Sequence, residues 1–335
     1  MALDRDLGVA FVRAARDLGF RLERGWEATA ATGVRGLRLL HEAGSFRSFL
    51  LTDASPRTFP VLRRNAAEVP GATAQPADAR RAPGAETFDY VDLDPYGSPL
   101  PFLDAGIRAT RPGGVLAVTA TDMTVLAGAQ PAAARRLYGA EPVRGRLGPE
   151  GALRILLMVL AREARARGRS ISPLLAYVGG HHVRAYVAVA APPAGEDPVA
   201  VLEPASWTGP ALRGAARVGP LWLGPLVEPA LAGRLRVPPT AAQAPALARF
   251  LARLREDAGP VAPFYYEGNL LATELGLGSP PSVAALLAAL REAGWDAGRT
   301  HVRPEGIRTH APRPEVERAA RRAVAAQSQN ARVRA

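Results

Sequence analysis

Residues 88–99 read FDYVDLDPYGSP, and this stretch decides the fold more than any other part of the sequence. Its first six residues form a largely apolar run with the length of a buried strand. Asp94-Pro95-Tyr96-Gly97 then ends the run in a turn. Ligands bind beyond the carboxyl ends of the strands in open parallel sheets, so the stretch predicts both a sheet and the position of its site.

Helices and strands alternate on both sides of this stretch. Predicted helices cover residues 6–18, the segment after Gly36, a segment starting at Ser55-Pro56, 101–109 and 151–167; predicted strands cover 26–30, 49–53, a short segment ending at 77–79, 88–94, 115–121, 174–178 and 183–190. Alternation predicts a mostly parallel sheet with helices on both faces. The link 179–182 between the last two strands is too short for a crossover, so these strands are antiparallel. This topology is the Rossmann-like α/β fold of S-adenosylmethionine-dependent methyltransferases.

A Pro/Gly-rich linker at residues 191–195 divides the chain. We predict a methyltransferase domain over 1–191 and a smaller α+β domain over 192–335. The second part has predicted helices at 241–257, 268–275 and 281–294 and an Arg-rich tail at 314–335.

The formal net charge is +11, and the chain contains no lysine, so arginine carries all the positive side-chain charge. This excess favours a polyanionic partner such as nucleic acid, although a GC-rich genome also favours arginine. There is no cysteine, hence no disulfide or thiolate metal site. The start lacks the pattern of a signal peptide, and we see no membrane-spanning run. We expect a cytoplasmic monomer without a metal, since His181-His182 has no partners at ligand spacing.

Three residues at predicted strand ends suit a nucleoside ligand. Asp53 lies 20 residues after Gly33 and can accept from ribose hydroxyls, or else cap a helix. Asp78 can accept from an adenine amine, with the Ala79 N–H nearby, or else be a surface turn residue. The loop 31–36 lacks the full G-x-G-x-x-G pattern and is a weak signal on its own.

Asp94 suits the transfer of a methyl group to an exocyclic base amine. A carboxylate that accepts a hydrogen bond from the amine localises its lone pair and takes up its proton. Pro95 fixes the turn, and Tyr96 offers a face on which a flipped base stacks. The alternative is a structural Asp-Pro turn. Asp4 precedes the first helix as a candidate N-cap, with Arg5 solvated.

These motifs resemble the tRNA (guanine-26-N2)-dimethyltransferase family. The resemblance runs through residues 94–104, 118–122, 138–140, 151–156, 219–226, 299–301 and 306–309, in the family's order. It implies an S-adenosylmethionine-dependent enzyme that methylates guanine N2 at position 26, or also 27, of tRNA. It also implies that Arg residues of the C-terminal domain hold the tRNA body.

The resemblance implies roles for single residues as well. Asp94 is then catalytic, and Pro95 and Tyr96 stack on the base. The cofactor residues are Arg5, Arg35, Asp53, Asp78 and Ala79, so that Arg5 faces the methionine end instead of solvent. Family members carry a Phe-Tyr-Asn-Pro segment just before this start, which implies a shortened chain or a start placed downstream. Many relatives have a cysteine-rich zinc site in the region that matches about 200–220, and this chain has no cysteine there.

Two other functions compete with this one. The first is a nicotinamide-dependent oxidoreductase on a similar sheet, against which the incomplete glycine pattern argues. The second is a catalytically impaired RNA-binding protein.

Overall fold

The computed structural model describes residues 2–83, 88–193, 195–213, 215–259 and 262–334, with side chains to residue 327. The helices are α1 (Ala2–Asp17), α2 (Val34–Glu42), α3 (Phe59–Ala67), α4 (Leu103–Ala109), α5 (Met123–Leu126), α6 (Pro131–Tyr138), α7 (Gly148–Arg165), α8 (Pro229–Arg234), α9 (Ala244–Asp257), α10 (Gly268–Leu275), α11 (Val283–Glu292) and α12 (Arg313–Arg334). The strands are β1 (Arg24–Glu27), β2 (Ser48–Asp53), β3 (Ala72–Pro76), β4 (Phe88–Leu93), β5 (Thr110–Ala120), β6 (Ser170–Val178), β7 (Val183–Ala190), β8 (Val199–Leu202), β9 (Val218–Trp222), β10 (Tyr266–Glu267), β11 (Ala297–Arg299) and β12 (Gly306–Thr309).

Seven strands form the main sheet in the order β3-β2-β1-β4-β5-β7-β6. Strands β1 to β5 run parallel, and β7 is antiparallel to both β5 and β6. The predicted α/β fold with its antiparallel hairpin is therefore confirmed. Every residue of β4 is buried, which explains why the run 88–93 reads as almost continuously apolar.

The C-terminal part adds two small sheets, β8-β9 and β10-β12-β11. Residues 199–265 contribute side chains to the same apolar core as the main sheet, whereas a second core joins Leu271, Leu286, Ile307 and Val316. The C-terminal part is thus α+β, as predicted, while the boundary at 191/192 stays a prediction. Ala194, in the predicted linker, lies outside the described residues.

Two predicted helix starts, at Ser55-Pro56 and at Asp4, are wrong. Ser55-Pro56 does not begin a helix: α3 begins at Phe59, since Asp53 Oδ1 accepts from Ser55 N at 2.8 Å and from Thr58 Oγ1 at 2.9 Å and holds a turn there. Asp4 is not an N-cap, because α1 already begins at Ala2.

The Asp4 side chain instead contacts the β6–β7 hairpin. Its Oδ1 accepts from the Tyr177 hydroxyl at 3.2 Å and lies 3.1 Å from His182 Nε2. Burial raises the pKa of Asp4, but hydrogen bonds and nearby positive charge, those of His182 first among them, hold that pKa below its usual value. His182 therefore has a carboxylate partner on α1. No helix of the described chain is both long and apolar enough to cross a membrane.

Candidate active site

The strand order places the predicted site residues along one edge of the sheet. Asp53 ends β2, Asp78 follows β3, and Asp94 follows β4. Strand β1 lies between β2 and β4 in the sheet, and the loop that follows it leads into α2. Parallel strands present their carboxyl ends together, so these carboxylates lie along the same edge of the sheet.

Asp94 forms an ion pair with Arg35, in the first turn of α2. Arg35 Nη2 donates to Asp94 Oδ2 at 2.5 Å, and the two side chains are 10% and 20% exposed. The backbone N–H of Asp94 donates to Thr29 Oγ1 at 3.1 Å, which fixes the start of the turn. Within the described part of the chain, the buried Arg35 Nη1 has no hydrogen-bond partner. The Arg35 guanidinium thus keeps one buried donor that the described residues do not engage.

Glu27, the last residue of β1, was not among the predicted site residues. Its Oε2 accepts from Gly36 N at 2.9 Å, and its Oε1 lies 3.9 Å from Arg35 Nε. Burial, followed by the charge of Asp92, raises the pKa of Glu27 to about 8. A neutral carboxyl therefore lies behind Arg35 at neutral pH, and Asp94 is the closer carboxylate partner of that guanidinium.

A second buried ion pair joins β4 to β7. Arg184 Nη2 donates to Asp92 Oδ2 at 2.5 Å and Arg184 Nη1 to Thr119 Oγ1 at 2.7 Å. The Tyr90 hydroxyl also donates to Asp92 Oδ2, at 2.7 Å. Burial alone would raise the pKa of Asp92, but the charges of Arg184 and Arg35 lower it. These charges favour the ionised form of Asp92 inside the sheet.

The turn after Asp94 turns one aromatic side chain fully to solvent. Tyr96 has 101% relative exposure, whereas Pro95 is buried. Gly97 has φ of +79° and binds the chain after β5: its N–H donates to Thr121 Oγ1 at 2.6 Å, and Thr121 N donates to Gly97 O at 3.0 Å. Tyr96 therefore projects from a fixed turn, while the predicted stacking role of Pro95 stays a prediction.

Ser98, Asp122 and Tyr138 extend this fixed region to α6. The Tyr138 hydroxyl donates to Asp122 Oδ2 at 2.6 Å and lies 2.7 Å from Ser98 Oγ. Burial, with the hydrogen bond to Asp122, raises the pKa of Tyr138 well above its usual value, so the phenol stays protonated. The end of α6 is thereby tied to the active-site turn.

The side chains of Asp53 and Asp78, two of the predicted cofactor residues, already form hydrogen bonds within the protein. Asp53 Oδ2 accepts from Ala31 N at 2.8 Å, so Asp53 also shapes the loop after β1. Asp78 pairs with Arg80 at 2.5 Å, and that hydrogen bond lowers the pKa of Asp78 to about 2. Ala79 is buried.

Arg5 lies on α1 and is half-buried. Residues described by the structure form no hydrogen bond or ion pair with it. The same part of the chain contains no group of three or more side chains of the metal-binding types.

Comparisons with known proteins agree on one family. A family model described as N2,N2-dimethylguanosine tRNA methyltransferase matches residues 1–201 and 212–321. The tRNA (guanine(26)-N(2))-dimethyltransferase of Thermococcus kodakarensis is 33% identical, over 93% of this chain and 89% of its own. That of Methanoregula boonei is 34% identical, over 94% and 87%. The solved structure of Trm1 from Pyrococcus horikoshii with S-adenosyl-L-methionine superposes with a TM-score of 0.83 at 28% identity, over 96% and 93% of the two chains.

Proposed function

The chain belongs to the N2,N2-dimethylguanosine tRNA methyltransferase family, and we propose that Asp94, Arg35 and Tyr96 are the central residues of its active site. It is an S-adenosylmethionine-dependent enzyme that methylates the exocyclic N2 of guanine 26 in tRNA. The observation that carries the site assignment is the Arg35–Asp94 ion pair at the carboxyl edge of the sheet, beside an exposed tyrosine. Family membership excludes the competing oxidoreductase.

We assign both ends of the cofactor to residues at this edge of the sheet. Arg35 Nη1 is a buried donor without a partner among the described residues, which suits the methionine carboxylate. Arg5, half-buried on α1, is the second cation assigned to that end. Asp53 is assigned to the ribose hydroxyls, and Asp78 with Ala79 to the adenine.

Asp94 is assigned to the target amine. S-adenosylmethionine supplies the methyl group as an electrophilic sulfonium. Asp94 accepts a hydrogen bond from guanine N2 and then its proton, as the new N–C bond forms and the S–C bond breaks. The amine loses one hydrogen for each methyl gained, and the sulfur leaves as a neutral thioether. The 2.5 Å contact with Arg35 holds the Asp94 carboxylate in a fixed orientation for this step.

Tyr96 is assigned to the flipped guanine. A fully exposed tyrosine on a fixed turn holds an aromatic plane next to the catalytic carboxylate. Bases of RNA that leave the helical stack bind in this way against aromatic side chains. Pro95, which is buried, contributes by fixing the turn in addition to the stacking role predicted for it.

The remaining assignments concern the whole molecule. We assign residues 1–191 to cofactor binding and catalysis and residues 192–335 to binding the tRNA body. The enzyme then acts as a monomer on cytoplasmic tRNA. The net charge of +11 supports a polyanionic substrate.

Asp94→Asn tests the site assignment. Asparagine keeps the size but cannot take up a proton, so kcat falls about 10²- to 10⁴-fold, the usual contribution of a general base. S-adenosylmethionine affinity, measured by calorimetry, stays close to wild type. The matched control is Asp104→Asn, which alters an ion-paired aspartate on α4 that is 41% exposed. Equal turnover by the two variants would remove Asp94 from the mechanism.

A further inference from the structure

Two buried or nearly buried glutamates each hold a pair of arginines beyond the active-site turn. Glu141, 12% exposed, lies 2.5 Å from Arg135 and 3.6 Å from Arg144. Glu267, 1% exposed, lies 3.0 Å from Arg146 and 2.7 Å from Arg303. The Glu141 group carries a net positive charge, because one carboxylate serves two guanidinium groups. At Glu267 a second carboxylate, Glu305, lies 3.6 Å from Arg303, so that group is neutral while its arginines stay partly exposed.

The arginines of these groups face solvent although their glutamates do not. Their side chains are 56% exposed for Arg135, 47% for Arg144 and Arg146, and 36% for Arg303. Arg136, next to Arg135 on α6, is also exposed and has no ion pair within the described residues. A carboxylate at one edge of a guanidinium fixes its plane and leaves other N–H groups free for an anion.

These arginines continue directly from the active site. Arg135 and Arg136 lie in the last turn of α6, and Tyr138, which ends that helix, contacts Ser98 in the Asp94 loop. Residues 144–146 then lead to the Glu267 group in the C-terminal part. The catalytic turn and the C-terminal part are thus joined by one positively charged segment.

We propose that Arg135, Arg136, Arg144, Arg146 and Arg303 form an arginine band that binds the phosphate backbone of tRNA beside the target guanine. The inference rests on the proposed function and deepens it, because it assigns part of the tRNA grip to the catalytic half of the chain. Guanidinium groups match phosphate oxygens in a bidentate way, and contacts to the backbone position a nucleic acid without reading its sequence. The band holds the strand while Tyr96 receives the base.

The test compares two double variants that alter the same kind of ion-paired group. Arg135→Gln/Arg144→Gln removes the charge pair around Glu141. Arg21→Gln/Arg47→Gln removes a similar pair around Glu23, with arginines 65% and 80% exposed, at the amino ends of β1 and β2 and so at the opposite edge of the sheet. Binding of unmodified tRNA is measured across a salt series, with S-adenosylmethionine affinity as the check on folding.

The band variant is expected to bind tRNA about 10- to 30-fold more weakly at 0.15 M salt and to lower the salt slope by about 1.4 to 1.8. The opposite-edge variant is expected to match wild type in both. Equal losses in the two variants, or no loss in the band variant, would overturn the proposal.

Arg136→Gln keeps the inference testable if the band variant no longer binds S-adenosylmethionine. This substitution breaks no ion pair among the described residues, and it is expected to lower the salt slope by about 0.7 to 0.9. An unchanged slope would overturn the proposal. Methylation of the same tRNA by the wild-type enzyme distinguishes failure of this proposal from failure of the proposed function. If no methylated product forms while the variants still weaken tRNA binding as expected, only the proposed function is contradicted.

Discussion

Glu27→Gln is expected to make folding stability less sensitive to pH. Burial and the charge of Asp92 raise the pKa of Glu27 from 4.5 to about 8, so the folded chain keeps a proton that the unfolded chain releases. Stability therefore falls as pH rises through this window and levels off above it, because the unfolded state binds fewer protons. Each pKa unit is worth about 1.4 kcal/mol, so the free energy of unfolding falls by up to about 4 kcal/mol between about pH 5 and pH 8.

Glutamine is a close substitute for the protonated carboxyl and keeps an acceptor for the Gly36 N–H. Urea unfolding of wild type and variant at several pH values isolates the Glu27 contribution, because all other titrating groups are common to both. We expect the free energy of unfolding of the variant to exceed that of wild type by an amount that grows with pH. A difference that stays constant from pH 5 to pH 8 would refute the reasoning, since Glu27 would then be ionised in the folded chain.

Three further substitutions probe the exposed turn, the buried Arg184–Asp92 pair and the first turn of α2. Tyr96→Ala lowers kcat/KM for tRNA about 5- to 150-fold through lost stacking, while Tyr96→Phe stays near wild type. Both variants keep the wild-type melting temperature, and full activity of the alanine variant would contradict the stacking role. Arg184→Met leaves the buried Asp92 without its arginine partner and lowers the free energy of unfolding, measured in urea, by about 3–5 kcal/mol. Adding Asp92→Leu restores part of that stability, whereas an Arg184→Met variant as stable as wild type would count against the ion pair. Gly36→Ala places a Cβ 2.5 Å from Leu51 Cδ2 and 2.8 Å from Glu27 Oε2, so it lowers the free energy of unfolding by about 1–3 kcal/mol. It also shifts Arg35 in the same turn of α2 and weakens S-adenosylmethionine binding, measured by calorimetry; unchanged affinity would contradict the role of this turn in cofactor binding.

The sheet and the ends of its strands could be predicted because both depend on local sequence. The run 88–93 is apolar since β4 is buried throughout, and Asp53 and Asp94 stand where strands end. The short link 179–182 likewise permits only a hairpin, which the antiparallel pairing of β6 and β7 confirms.

The partners of buried charges could not be predicted in the same way. Asp92 stands inside an apolar strand, which signals a need for a partner, but Arg184 is 92 residues away. Ser98 and Tyr138 are 40 residues apart. Glu27 lies inside the predicted strand 26–30, and only the fold shows that it backs Arg35. A charged residue within a buried strand was the available signal for Asp92 and Glu27.

Nucleoside mass spectrometry of one tRNA, compared with the same tRNA carrying adenine in place of guanine 26, tests the central claim most directly. With enzyme and S-adenosylmethionine, the account predicts N2-methylated guanosine from the first tRNA, its loss in the second, and its loss from the first when Asp94→Asn replaces wild type. N2-methylated guanosine that persists without guanine 26, or that Asp94→Asn makes at the wild-type rate, would contradict it.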